Sequence, residues 1–125
     1  MIRHLTATGL TSTSTVLLHP NVGYRWKLLS ALVFLATGTT TGDRSVVFSY
    51  SPYQSLNGYA MSLCSTGVQS GTGATYFGQV LGVTETSALY FDVYCDASAN
   101  FVVTPSLQTG DTYGYDIQVL EEPDI

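Results

Sequence analysis

The residues able to do covalent or ligand chemistry are few, and their spacing decides what they could do. His4 and His19 are the only imidazoles, the one side chain whose ordinary titration falls near neutrality. A hydrolytic triad would need one of them beside a nucleophile and an orienting acid. Neither histidine sits in a base or nucleophile motif, and no G-x-S-x-G elbow occurs. Metal binding meets the same obstacle: there is no H-x-H, HExxH or Cys/His spacing. Asp43, Asp96, Asp111 and Asp116 fall at turns or on strand faces, where Asp commonly holds backbone amides. The Gly71-Thr72-Gly73 run opens a strand and lacks the helix N-terminus that a phosphate would need. The expectation is therefore no catalytic residue, no metal, no cofactor and no enzymatic activity.

Cys64 and Cys95 lie too far apart for a C-x-x-C redox or zinc pattern. In the run from Leu89 to Cys95 the apolar set Leu89, Phe91 and Val93 carries Cys95 on its own side, whereas Met61 and Leu63 leave Cys64 on the opposite side. By that facing the two are free thiols, unless a bulge reverses one of them.

Charge limits the partners. Four basic residues, Arg3, Arg25, Lys27 and Arg44, stand against nine acids for a net charge of −5. No basic stripe is present to displace counterions from a phosphate backbone, so direct nucleic-acid binding is not expected. The most apolar stretch, residues 28–36, is much shorter than the roughly 18 to 20 residues of a membrane span. No membrane partner and no secretory signal peptide are expected.

Charged residues are only 10% of the chain, against about a quarter in an average domain. A surface of hydroxyls and aromatics suits packing against other proteins, although β-rich chains favour Thr and Tyr in any case. Among the nine tyrosines, Tyr53, Tyr90 and Tyr94 fall in loops or on outward strand positions. Exposed rings of this kind stack on sugars or anchor a protein interface.

The elements that must position these residues read as strands. Turn signals at Pro20-Asn21-Val22-Gly23, Thr41-Gly42-Asp43, Asn57-Gly58, residues 67–73, residues 96–100 and Gly110-Asp111 punctuate the chain. Between them lie candidate strands at 2–8, 15–18, 24–37, 44–51, 59–65, 74–81, 88–95, 101–104 and 112–120. Residues 1–125 are expected to form one all-β domain, a jelly roll or two-sheet antiparallel β-sandwich of about eight strands. Arg44, Val46, Phe48 and Tyr50 share one face of their strand. Tyr113, Tyr115, Ile117 and Val119 share one face of the last. The loop at residues 68–74 is the one flexible segment suited to reaching or gripping.

The segment 24–37 contains good helix formers, yet Tyr24, Trp26, Leu28, Leu32, Phe34 and Ala36 keep a strand period broken only by Ser30. From Leu29 onward the alternate side is apolar too, through Ala31, Val33 and Leu35. Either a second subunit covers that side, or the strand passes from one sheet to the other and exchanges which face is inside. The first alternative makes Leu29, Val33 and Leu35 the candidate oligomer interface.

The string P-N-V-G-Y-R-W-K-L-L-S-A from Pro20, followed by T-G-D-R-S-V-V-F, resembles a group of small bacteriophage virion proteins. L-Q-T-G-D-T-Y with D-I-Q-V-L-E-E near the C-terminus resembles the ending of the same chains. Pro20, Gly23, Arg25, Trp26, Gly42 and Arg44 carry the likeness, which covers about a third of the sequence. The group is the capsid decoration, or cement, proteins of jelly-roll type. The resemblance implies a homotrimer on the exterior of an assembled head, with the major capsid protein as partner and stabilisation of the shell as the work. Arg3, Arg25, Lys27 and Arg44 are then candidate capsid contacts, and residues 1–5 a docking arm. Virion assembly in the host cytoplasm would place the chain without secretion. The alternative is a tail-associated or cell-surface adhesin domain that binds host glycan through exposed tyrosines.

Overall fold

The computed structural model describes residues 1–52, 60–81 and 93–124. These form nine strands: β1 (Ile2–Leu10), β2 (Val16–Leu18), β3 (Tyr24–Ala36), β4 (Ser45–Ser51), β5 (Met61–Ser65), β6 (Thr75–Leu81), β7 (Tyr94–Asp96), β8 (Asn100–Ser106) and β9 (Thr112–Pro123). The β-branched and aromatic segments between Gly, Pro and Asn turns have become the strands. The helix formers in residues 24–37 are overruled by pairing on both sides of β3.

The strands build two antiparallel sheets. One has the order β1-β9-β3-β6, with β7 also on β3, and the other β2-β8-β4-β5. The connectivity follows from one folded ribbon. The hairpin β4–β5 is its tip, and β3 with β6 and β7, β2 with β8, and β1 with β9 pair successively behind it. Rolling that ribbon lays β9 against β3 and β8 against β4, which gives the strand order of a jelly roll. Strands β6 and β7 run in one line along β3: Leu81 sits opposite Ser30 and Tyr94 opposite Lys27.

Alternation sorts the faces. From the five-stranded sheet, Trp26, Leu28, Val33 and Leu35 of β3 and Tyr113, Ile117 and Val119 of β9 point inward. They meet Val46 and Phe48 of β4 and Phe101 and Val103 of β8. Phe101 is the aromatic hub: its ring stacks on Trp26 at 6.5 Å between centroids and lies 5.4 Å from Phe48 and 6.0 Å from Tyr50.

A bulge in β3 settles the question of its two apolar sides. Leu28 pairs with Val119 and Ser30 with the adjacent Gln118, so Leu29 is an extra residue and the facing reverses after it. Val33 and Leu35 are consequently wholly buried in the core, which corrects their reading as an oligomer interface. Leu29 is half-buried at the bulge itself. The strand does not cross between sheets; one inserted residue exchanges its faces.

Candidate functional site

Two arrangements bring polar or exposed side chains together. The first lies at the end of the sandwich that carries the β1–β2, β3–β4, β5–β6 and β8–β9 connections. Arg44, at 1% exposure, points inward from the start of β4. Its Nε donates to Asp111 Oδ2 at 3.0 Å and its Nη2 to Oδ1 at 3.2 Å, the two-pronged geometry of a guanidinium on a carboxylate. The remaining donors reach the carbonyls of Thr40, Gly42, Ser70 and Gly71. Asp111 in turn accepts the amides of Gly38 and Gln108. Burial alone would push the Asp111 carboxyl up, but Arg44 and these two amides outweigh it and hold the carboxyl below its ordinary value.

This node fastens three loops to one another. Arg44 is thereby removed from the candidate capsid contacts, because its side chain is enclosed and its charge is matched inside the protein. The loop at residues 68–74, expected to reach outward, is held too. Gln69 exchanges backbone bonds with Arg44, Gly73 donates to Gly38, and Ala74 accepts from Thr37. Beside the node a cleft of about 370 Å³ is lined by Thr11, Thr13, Leu107, Gln108 and Thr109. Its walls are three threonines, one amide and the Leu107 side chain, and the Asp111 carboxylate beneath is already committed to Arg44.

The second arrangement is the outer face of the five-stranded sheet. The bulge that turns Val33 and Leu35 inward turns Leu32 and Phe34 outward. Phe34 lies opposite Phe77 of β6 and Gly114 of β9. A side chain at position 114 would meet the Phe34 ring at 2.4 Å, so the glycine is what lets this ring lie flat on the sheet. Phe77 is 63% exposed. Leu32 sits one row along, between Gln79 and Asp116. Arg25 and Lys27 flank the buried Trp26 and so share this outer face, in rows with Glu122 and Leu120 of β9. Arg25 donates to Glu122 at 2.9 Å, and its guanidinium lies 4.7 Å above the Tyr94 ring.

The other sequence candidates are distributed around this face. Arg3 lies on the inner row at the edge of the sheet, where it donates to Glu121 Oε1 at 3.1 Å. The same carboxylate accepts the Trp26 indole N–H at 3.0 Å. Residues 2–5 belong to β1 and pair with β9 over Ile117 to Leu120, so this segment is a strand and not a loose arm. His4 is exposed with its Nδ1 3.7 Å from Asp116, and His19 contacts the Pro20 carbonyl. The two histidines therefore stand on different elements, each beside a local partner. Asp96 accepts the amide and hydroxyl of Ser98, the Asx-type turn expected of it. Cys64 and Cys95 are free. Among the described residues no group of three His, Cys, Asp or Glu could hold a metal ion. Among the tyrosines proposed for a glycan, Tyr53 and Tyr90 lie outside the described residues, and Tyr94 carries Arg25 on its ring.

Phe77 is the exposed aromatic that sequence reasoning missed. Its strand is legible, but residues 74–81 mix Gly, Gln and aromatics on both faces, and only the pairing with Phe34 shows which side is wet.

No helix among the described residues is long and apolar enough to cross a membrane. Compared with known proteins, the chain matches no family model, no curated protein and no solved structure.

Proposed function

We propose that this chain is a structural interaction protein of the virion. In this reading it lies on the exterior of an assembled head, contacts the major capsid protein through the outer face of its five-stranded sheet, and stabilises the shell. The observation that carries the reading is the exposed Phe77 ring with the half-buried Phe34 and Leu32 beside it, on the same face as Arg25 and Lys27. An apolar centre bordered by basic and aromatic side chains is the composition of a protein docking surface. The sandwich behind it, fastened by the Arg44–Asp111 node, offers that face as a rigid sheet that loses little freedom on binding. The likeness of residues 20–31 and 41–48 and of the C-terminal strings to capsid decoration proteins suggests the class of partner. A protein that binds the assembled lattice and not its free subunits shifts the assembly equilibrium toward the intact shell.

The test is co-sedimentation with undecorated heads of the phage whose genome carries the gene. Binding that saturates and raises the temperature of DNA release supports the reading. A chain that stays in the supernatant, or that binds without adding heat resistance, overturns it.

A further inference from the structure

We propose that two copies of this chain pair edge to edge through β1, joining their five-stranded sheets across a two-fold axis at Leu5. The inference concerns the edge of the sheet, whereas the shell-docking proposal concerns its face, so either can fail alone.

The two sides of the sandwich are closed differently. On one side β5 and β6 abut so closely that a side chain at Gly78 would meet the Ser65 carbonyl at 2.2 Å. On the other, among the described residues β1 pairs only with β9, and its nine residues are exposed at Ile2, Arg3, His4, Thr6, Thr8 and Gly9. The backbone parity of this edge follows from its first pair. The Glu121 amide donates to the Met1 carbonyl at 2.7 Å, and the Met1 nitrogen donates back to the Glu121 carbonyl at 2.9 Å. In an antiparallel ladder such pairs alternate, so Arg3, Leu5 and Ala7 bond to β9. Ile2, His4 and Thr6 then aim their N–H and C=O groups away from the sheet.

An edge of this length is normally blunted by lysine, proline or an inward charge. Among residues 2–10 there is no lysine, proline or acid, and the one inward charge, Arg3, is answered within the chain by Glu121 at 3.1 Å. The regular edge is interrupted only at its far end, where a bulge between Ala7 and Leu10 carries Gly9 at φ +64°.

A second copy is the occupant that fits. The chain carries −5 overall, yet β1 itself holds no acid, and the β9 acids next to it, Asp116 and Glu121, stand beside His4 and Arg3. The β1 edge is therefore a strip where two like-charged copies can approach without their own strand charges opposing. In the register that uses the full edge, His4 lies opposite Thr6 and Ile2 opposite Thr8 of the second copy. Leu5 then meets Leu5 on the axis as a non-hydrogen-bonded pair, with Cα atoms about 4.5 Å apart. No like charges oppose one another, and the half-buried Leu5 gains a cover. Sliding one pair toward the N-terminus would instead set His4 against His4. The contact is isologous and closes at two, unlike the three-fold ring implied by the capsid-protein resemblance.

The experiment is sedimentation equilibrium on the whole chain and two edge variants. The expected mass is that of two chains. Thr6→Pro removes an outward N–H without touching a bond to β9, and is expected to reduce the mass to one chain while the strand spectrum is kept. Thr6→Lys, which places a charge on the same edge, is the check if the proline variant does not fold. Leu5→Cys is expected to give a covalent pair on a non-reducing gel after mild oxidation, since the spacing suits a disulfide. A single-chain mass at every concentration overturns the proposal. So does a mass of three chains, or a pair that neither edge variant disturbs and Leu5→Cys does not trap.

Discussion

Arg44 and Asp111, 67 residues apart in sequence, meet at 3.0 Å with both side chains fully enclosed. Removing either partner leaves a buried charge unanswered, which costs far more than losing an exposed ion pair. Arg44→Met also strips the donor from four loop carbonyls. The expected order of urea midpoints is wild type, then Asp111→Asn, then Arg44→Met. Arg3→Ala, which breaks a pair whose arginine is 43% exposed, stays near wild type. Equal midpoints for Arg44→Met and Arg3→Ala would show that the node does not hold the loops.

Acid should undo this fastening in a defined window. Three carboxyls are held below their ordinary values. Asp96 is lowered by the Ser98 hydroxyl and amide, Glu121 by the Trp26 indole and Arg3, and Asp111 by Arg44 and two amides against its burial. A carboxyl depressed in the folded state stabilises the fold above its unfolded value, about 3.9 for Asp and 4.3 for Glu. That contribution is lost as pH falls from there through the lower folded value. Thermal midpoints should be level above about pH 5 and fall below about pH 4. Asp111→Asn should flatten that fall, and an unchanged slope would contradict the assignment.

The thiols should be inert in the native protein. Burial pushes the Cys64 thiol up to about 11. Burial and the neighbouring Asp96 push Cys95 up to about 12, against an opposing backbone bond from Phe101. The thiolate is the reacting form, so an aromatic disulfide reagent at pH 8 should modify the folded chain far more slowly than the unfolded chain. Two equivalents should react in denaturant; rapid release of both from the native protein would contradict the burial.

Gly78→Ala should destabilise by about 1–3 kcal/mol through overpacking, because the new carbon would meet the Ser65 backbone where the two sheets close. Urea unfolding measures this, and a neutral result would mean that β5 and β6 can part without cost.

Most strands were legible because Val, Phe, Tyr and Ile alternate with polar residues between Gly and Pro turns, as in residues 44–51 and 112–120. The order of those strands was not, because ribbon pairing joins residues as distant as Ile2 and Leu120. In residues 24–37 the sequence period makes Ser30 a defect in one continuous face. The inserted residue is in fact Leu29, so every side chain beyond it changes sides. A single bulge leaves no mark in composition, yet it moves Val33 and Leu35 into the core and Phe34 onto the surface. The position of Arg44 is hidden from the sequence for a different reason. An arginine at a strand start beside a Gly-Asp turn looks solvated until Asp111 is brought to it by the β8–β9 turn. The segments 53–59 and 82–92, which include Tyr53, Leu89, Tyr90 and Phe91, lie outside the described residues.

In the proposed function the outer face around Phe77 makes the contact with the shell while the inner face holds the fold. The most direct measurement of that contact is co-sedimentation of wild type and Phe77→Asp with undecorated heads, after both are shown to unfold at the same urea concentration. The expected result is saturable binding by wild type and its loss in Phe77→Asp, since an exposed side chain can be charged without disturbing the core. Equal binding by the two chains, or binding by neither, would contradict it.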